Sequence, residues 1–358
     1  MSGLIRAVID TRALRHNLEV IRKRAGRARV MAVVKANAYG HGLTPSAQAL
    51  SSADAFAVAR LEEGLTLRSA GVLKPVVLLE GVFSSEQLEE AAAQRLDLVV
   101  HDTLQIELLE RTGNAQRFVV WVKIDTGMNR LGFAPAQFPA ALARLRALTP
   151  TPQHIRLMTH LACANERDDG MTRAQLERFH KAIHGLSFHT SIANSAGLFG
   201  ALPVKCDWVR PGLALYGASP FADCLAADLG LEPVMTLVTS VIAVRRVSRG
   251  ETVGYGGAWV APQDAAIAIV AAGYGDGVPR GLGGGTTVLV DGQRAPLAGR
   301  VSMDMLAIDV SGIQGVRVGT PVVLWGAGLP VEELARRAGT IAYELLCSVS
   351  QRVPLELR

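Results

Sequence analysis

Apolar positions follow two different periods over the first part of the chain. From about residue 10 to 215, short β-branched runs alternate with stretches whose apolar residues lie three or four positions apart, which predicts alternating strands and amphipathic helices. The runs that predict the eight strands are VMAVVKA, FAVA, VVLL, DLVV, VVWVKI, IRLMTHL, FHTSI and WVR. Eight such alternations favour a closed parallel (β/α)8 barrel of the TIM type over an open sheet.

For two predicted helices of this region, the sequence also indicates the apolar face or the first residues. Leu14, Leu18 and Ile21 share one face of the first predicted helix. Ser84 and Gln87 have the spacing of a capping box, which predicts that a later helix begins there.

The pattern changes after about residue 228. Longer β-type runs such as VMTLVTSVIAV are separated by glycine and proline turns, with one late helical stretch, VEELARRAGTI. We therefore expect a barrel over residues 1–228 and a mainly β domain over residues 229–358. The initial run over residues 5–9 precedes the eight barrel strands, so residues 1–10 could pair with the second domain instead.

Composition narrows the function classes. The formal charge is +5, but basic and acidic residues are interleaved without a basic stripe that carries aromatics, so nucleic acid is not expected as a partner. No apolar run is long enough to span a bilayer and no secretory signal opens the chain, which predicts a cytoplasmic protein without a membrane partner. The four cysteines form no C-x-x-C pair, so we expect reduced thiols and no metal site.

Candidate chemistry begins at the end of the first predicted barrel strand, in VVKANAYGHG. Lys35 lies at the carboxyl end of this strand, which is the end of a parallel barrel where ligands bind. A lysine that emerges from an apolar strand is costly unless its amine is neutral, and a neutral amine can form an imine with an aldehyde. From its position alone, Lys35 could equally be a lysine at the barrel rim with its ammonium in water.

The string VVKANAYGHG resembles the cofactor-lysine signature of bacterial alanine racemases. The resemblance covers nearly the whole chain, because further family motifs follow in family order. These are KIDTGMNRLGF (123–133), MTHLA (158–162), NSAG (194–197), RPGLALYG (210–217), VGYGG (253–257), GYGDG (273–277), GRVSMDM (299–305) and TIAYE (340–344).

The resemblance implies a pyridoxal 5'-phosphate (PLP) enzyme, an isomerase that interconverts L-alanine and D-alanine. Lys35 would hold the cofactor as a Schiff base, and Arg210, oriented by His160, would face the pyridine nitrogen. An arginine keeps its proton, so the ring nitrogen would stay unprotonated and the ring would be a weaker electron sink, which suits racemisation. The residues that match phosphate contacts are Tyr39, Asn194, Ser195, Gly212, Leu213 and Tyr343.

Without the matching motifs, simpler interpretations would hold for several of these residues. Ser195 could cap a helix, Gly212 could form a turn, and His160 could be a hydrogen-bonded core histidine.

Racemisation needs two acid/base groups on opposite sides of the substrate. Lys35 would serve one side, and Tyr255 resembles the family's second base. Its phenol would have to be made more acidic by nearby positive charge, through His160 and Arg210. The resemblance further implies that Tyr255 comes from the other subunit, so the active site would require a homodimer. The alternative is an aromatic side chain packed beside a glycine turn.

The resemblance also implies a substrate pocket that admits a methyl side chain. Arg130 would contact the cofactor hydroxyl and the substrate carboxylate. Tyr274 and Met303 of the partner chain, with Asp304 beside them, would narrow the entrance and bind the substrate carboxylate.

Lys123 matches a lysine that is carbamylated in many relatives and then positions Arg130. An unmodified Lys123 paired with Asp125 or Asp304 is the alternative.

Three other functions share parts of this pattern. Barrel-type PLP decarboxylases usually place an acidic residue at the ring nitrogen and a cysteine in the second domain, whereas this chain has Arg210 and Tyr255. A non-catalytic cofactor carrier resembles the barrel alone. A racemase of broader specificity stays open, although such relatives often carry an export signal. The chain departs from the family in two places. The terminal string SVSQRVPLELR keeps RVP (352–354) but has Leu355 where an arginine is common, and HLACAN differs from the more usual HFA pattern after His160. Both departures concern local packing.

Overall fold

The computed structural model describes residues 4–166 and 168–358. Its strands are β1 (Arg6–Ile9), β2 (Arg29–Val33), β3 (Ala55–Val58), β4 (Val76–Leu78), β5 (Asp97–Val100), β6 (Val119–Lys123), β7 (His154–Met158), β8 (Thr190–Ser191), β9 (Trp208–Val209), β10 (Met235–Val247), β11 (Thr252–Val253), β12 (Trp259–Val260), β13 (Ala265–Val270), β14 (Thr287–Val290), β15 (Gln293–Pro296), β16 (Leu306–Asp309), β17 (Pro321–Trp325) and β18 (Leu355–Leu357).

Helices connect most of these strands. They are α1 (Thr11–Ala25), α2 (Lys35–Tyr39), α3 (Leu43–Ala49), α4 (Leu61–Ser69), α5 (Ser85–Ala93), α6 (Thr103–Thr112), α7 (Phe138–Ala147), α8 (Gly170–Ala182), α9 (Ser195–Phe199), α10 (Val331–Ala338) and α11 (Ala342–Ser348).

The predicted barrel is confirmed. Strands β2 to β9 are parallel, follow chain order and close on themselves through the pairing of β2 with β9. The residues of these strands are mainly small and branched apolar residues that are almost fully buried. The centre is therefore a packed core, and the carboxyl ends of the strands meet at one rim, where loops can carry chemistry.

The first helix begins and packs as its sequence predicts. The Asp10 carboxylate accepts hydrogen bonds from the backbone N–H groups of Arg12 (2.8 Å) and Ala13 (3.2 Å), which satisfies donors that an N-terminus leaves free. Leu14 and Leu18 are buried on the face that contacts the barrel.

The predicted capping of α5 forms with one difference. The Ser84 hydroxyl accepts from the Gln87 N–H at 3.2 Å, but the Gln87 side chain accepts from the N–H of Phe83 rather than from that of Ser84.

A mixed sheet follows the barrel, in the strand order β15-β14-β17-β10-β1-β18, and β13 joins β10 to β16. Strand β1 lies in this sheet, antiparallel to β10 and parallel to β18. The chain therefore starts in the second sheet before it enters the barrel. The same sheet also holds β18, which follows α11.

Candidate active site

Four basic side chains follow the barrel strands at the same rim. Lys35 follows β2, Lys123 is the last residue of β6, His160 follows β7, and Arg210 follows β9. The strands are parallel, so their carboxyl ends bring residues that are far apart in sequence into one site.

The electrostatic effects of these groups on one another place them close together. Burial and, after it, the positive charges of Arg210, Arg130 and Lys35 together lower the pKa of Lys123 to about 8, while Asp125 acts in the opposite direction. Burial and the same cations, Lys123 included, hold the pKa of His160 well below its usual value. His160 is therefore neutral at physiological pH, in a site dominated by positive charge.

Arg210 is the most enclosed of these cations, with 4% of its surface exposed. Its guanidinium donates to the Ser191 hydroxyl (2.6 Å), the Thr159 carbonyl (2.5 Å) and Nδ1 of His160 (3.3 Å). Burial lowers the pKa of Arg210 to about 10, so the group still carries its charge at neutral pH. Because Nδ1 of His160 accepts this bond, its proton lies on Nε2.

The backbone after Lys35 forms a left-handed turn. Ala36, Asn37, Ala38 and Tyr39 all have φ of 53–54°. Residues other than glycine in this conformation cost about 1–2 kcal/mol each. The predicted strand VMAVVKA is therefore too long, because β2 ends at Val33 and Lys35 opens the turn instead.

Neighbouring elements hold the turn in place. The Glu63 carboxylate of α4 accepts from the Ala36 N–H at 2.6 Å. Gly40 lies directly against the Leu346 carbonyl of α11, where a Cβ would overlap it. Such strained conformations persist where the surrounding structure over-determines them, and they are concentrated at functional sites.

The turn delivers Tyr39 to a cradle of hydroxyl groups. The Tyr39 ring is 5.9 Å from that of Tyr343, between ring centroids. Its hydroxyl lies against Gly212, where an added Cβ would overlap it. Burial raises the pKa of both phenols, so each keeps its proton and can donate.

Ser195 completes the cradle. Its hydroxyl accepts from the N–H groups of Gly212 (3.0 Å) and Ala214 (3.3 Å), and Leu213 opens the 3-10 turn between them. The Asn194 side chain caps α9 by accepting from the Gly197 N–H at 2.9 Å. The cradle consists of uncharged donors, and the side chains named here include no carboxylate that would repel an anion. This donor set fits a phosphate group.

The remaining predicted site residues lie on the second sheet's loops and are largely exposed. Tyr255 is 70%, Tyr274 41% and Met303 53% exposed. Tyr274 and Met303 are neighbours, because the N–H of Gly275 donates to the Met303 carbonyl at 2.9 Å. Within one chain, most of the Tyr255 surface has no contact. The structure therefore brings together the barrel residues, but it leaves this second group open to solvent.

Arg352 connects the two loops that carry Tyr274 and Met303. Its guanidinium binds the carboxylates of Asp276 and Asp304, each at 2.7 Å. Asp304 is thus engaged with Arg352, whereas the sequence left it open as a partner for Lys123.

Two family models match the chain almost end to end. The model described as "Alanine racemase, N-terminal domain" matches residues 9–220, and "Alanine racemase, C-terminal domain" matches residues 234–357. The chain belongs to the alanine racemase family. The alanine racemase of Nitrosococcus oceani is 52% identical over 348 residues, which cover 97% of this chain and 98% of that protein.

Solved alanine racemases have the same fold. The biosynthetic alanine racemase of Pseudomonas aeruginosa superposes with a TM-score of 0.96 at 46% identity, covering 100% of both chains. The alanine racemase of Bartonella henselae, solved with covalently bound pyridoxal phosphate, superposes with a TM-score of 0.89 at 28% identity, covering 99% of this chain and 100% of that one.

Sequence reasoning missed three residues that hold the site. Arg352 stood in the matching string RVP but received no role. Tyr216, whose ring stacks on Tyr39 at 4.8 Å, stood in the motif RPGLALYG but also received no role, and Ser191, which binds Arg210, carries no local signal. Their roles depend on contacts between strands, which the spacing of residues along one strand does not reveal.

We expect Gly212→Ala to weaken the binding of pyridoxal phosphate about 5- to 150-fold, which corresponds to the 1–3 kcal/mol that overpacking commonly costs. The added Cβ would displace the Tyr39 hydroxyl. Titration of the cofactor-free protein measures the dissociation constant. Gly312→Ala is the matched control, because a Cβ there meets no atom within 4 Å. Equal affinities of the two variants would contradict the cradle.

Proposed function

We propose that this chain is an alanine racemase that uses pyridoxal phosphate at the barrel rim and completes its site with a second copy of itself. The observation that carries the proposal is the juxtaposition of Lys35 with a buried Arg210 and an uncharged cradle of hydroxyl groups. Membership of the alanine racemase family supports the same reaction.

Each end of the cofactor has a matching set of residues. When bound, pyridoxal phosphate supplies an aldehyde that combines with an amine and a ring that makes the α-proton of alanine more acidic. Lys35 would bind the aldehyde and Arg210 would donate to the ring nitrogen. Tyr39, Asn194, Ser195, Gly212, Leu213 and Tyr343 would hold the phosphate.

Arg210 limits how strongly electrons are withdrawn from the substrate. It remains protonated at neutral pH, and the neutral His160 accepts one of its hydrogen bonds, so Arg210 keeps its proton and offers the ring nitrogen only a hydrogen bond. A ring nitrogen that receives only a hydrogen bond withdraws electrons weakly. This favours prompt return of the proton over side reactions.

Two groups exchange the α-proton. Nζ of Lys35 takes a proton from one face of the substrate, and Oη of Tyr255 of the partner subunit gives one to the opposite face. Tyr255 fits this role because its ring is 70% exposed in one chain and is available to a second copy. Each subunit of the homodimer would receive the phenol of the other.

The substrate carboxylate would bind Arg130, whose charge reaches both Lys123 and His160. Tyr274 and Met303 of the partner subunit would narrow the entrance. Asp304 would support them through Arg352, which binds it at 2.7 Å. A narrow entrance excludes larger side chains by steric overlap.

Lys123 is proposed to be carbamylated. Formation of a carbamate needs a neutral amine and carbon dioxide, and the pKa of about 8 makes the neutral form accessible. The carbamate would be an anion among Arg130, Arg210 and Lys35, which replaces repulsion with attraction.

The proposal also covers organisation and location. Residues 1–228 would form the cofactor-binding domain and residues 229–358 the second domain, with β1 contributing to the second sheet. Within the described part of the chain, no helix is long and apolar enough to cross a membrane. We propose a cytoplasmic homodimer that acts on free alanine without nucleic acid or membrane partners.

The purified protein should be yellow and should racemise L-alanine faster than any other member of an L-amino-acid panel, because the entrance excludes larger side chains. Lys35→Ala should abolish the reaction, and borohydride should attach the cofactor to the peptide that contains Lys35. Lys74→Ala, at an exposed lysine, is the control and should retain activity. A colourless protein that takes up no cofactor would refute the proposed function.

Tyr255→Phe should keep the cofactor and lose racemisation most severely in one stereochemical direction. When Tyr255→Phe is co-expressed with Lys35→Ala, the purified mixed dimer should have about half of wild-type activity, since one of its two sites contains both native residues. The two variants carry different affinity tags, and the doubly purified dimer is assayed in both directions. No recovery would place both bases in one chain.

Lys123 should take up carbon dioxide when the protein is incubated with ¹³C-bicarbonate, and the carbamate signal should fall as the pH drops below about 8 because the amine becomes protonated. Carbon NMR measures the signal, and density beyond Nζ in a crystal at neutral pH is the second readout. The signal should be lost in Lys123→Met and kept in Lys74→Met. A signal that survives Lys123→Met would exclude this site.

A further inference from the structure

His41 is a fully buried residue that the proposed mechanism does not use. It follows the left-handed turn directly, in the string that begins with Lys35. A buried imidazole needs a reason for its position, because each of its nitrogens loses contact with water.

One nitrogen of His41 binds the turn. Nδ1 lies 3.0 Å from the Ala38 carbonyl and 2.8 Å from the Tyr39 carbonyl. Two carbonyl oxygens can only accept, so Nδ1 carries the proton and donates to both. Both carbonyls belong to residues in the left-handed conformation, whose backbone has unfavourable φ angles.

The other nitrogen has no partner. Nε2 of His41 is buried and makes no hydrogen bond to the described residues. Burial also lowers the pKa of His41 to about 4, so the ring is neutral near physiological pH. The residue therefore acts through one neutral N–H donor and leaves the other nitrogen bare.

The ring of His41 adds a second connection to Tyr39. It stacks on Tyr216 at 4.6 Å between centroids, and Tyr216 stacks in turn on Tyr39 at 4.8 Å. The Tyr216 hydroxyl donates to the Val33 carbonyl at 3.0 Å, at the end of the strand that precedes Lys35. His41 thus restrains both the backbone and the ring of Tyr39.

We propose that His41 is a positioning residue that locks the left-handed turn and thereby aims the Tyr39 hydroxyl at the cofactor phosphate. The inference rests on the proposed function, because it assigns His41 to the phosphate end of the same site. Its contribution should be specific to the phosphate, since Tyr39 is the residue that it restrains directly.

Two amide substitutions separate the roles of the two ring nitrogens. Asparagine places its amide nitrogen on Cγ, as histidine places Nδ1, whereas glutamine places its amide one bond further out, near the position of Nε2. His41→Asn should therefore keep the bonds to the turn. His41→Gln should lose them.

The readout is the ratio of dissociation constants for pyridoxal phosphate and phosphate-free pyridoxal on the cofactor-free protein. We expect His41→Gln to weaken pyridoxal phosphate binding about tenfold, as expected for two lost hydrogen bonds, with little change for pyridoxal. His41→Asn should restore the wild-type ratio. A merely structural role predicts that both ligands weaken by the same factor in His41→Gln, and this result would overturn the inference.

A double-mutant cycle with Tyr39→Phe tests the route of the effect. Once the Tyr39 hydroxyl is removed, His41→Gln should no longer change the ratio. An undiminished effect would show that His41 does not act through Tyr39 and would overturn the inference.

A measurement on the wild type is independent of whether the variants fold. In ¹⁵N-histidine-labelled holoenzyme, the His41 signal should show a proton on Nδ1 that exchanges slowly. A proton on Nε2 would overturn the inference. Wild-type protein that binds no pyridoxal phosphate would instead refute the proposed function, so the two failures are distinguishable.

Discussion

Concentrated positive charge at the barrel rim is the constraint on which the site depends. Lys35, Lys123, Arg130 and Arg210 act on His160, and the other three cations act on Lys123, where Asp125 opposes them. Burial of like charges is unfavourable unless anions compensate. The site is therefore suited to a phosphorylated cofactor, a carboxylate substrate and a carbamate, each of which brings negative charge into it.

The left-handed turn connects Lys35 to Tyr39. In the proposed function Lys35 reaches the cofactor aldehyde while Tyr39, four residues later, reaches the phosphate, and the left-handed turn sets the direction of Tyr39 relative to Lys35. No glycine occurs among Ala36, Asn37, Ala38 and Tyr39, so the local sequence does not favour this conformation. The turn is stable because Glu63 of α4, Leu346 of α11 and His41 of the loop before α3 contact it.

The barrel could be predicted from the sequence because its strands and helices each have their own apolar period. Leu14 and Leu18, four positions apart on the buried face of α1, are an example. Family motifs were sufficient to locate Lys35 and Arg210. The order of strands in the second sheet could not be predicted, because β1 pairs with β10 across more than 220 positions and no local pattern records such a pairing. For the same reason, the roles of Ser191 and Arg352 became visible only in three dimensions.

The position of β1 has a consequence for biosynthesis. This strand leaves the ribosome before all of the barrel strands, yet one of its neighbours, β18, emerges only after them. The edge of β1 that faces β18 must stay unpaired, or be covered by another protein, until β18 has been synthesised, and unpaired strand edges are the usual starting points of aggregation. Truncated chains would lack β18 and expose that edge, so a cell's quality control could recognise them before any active site had formed.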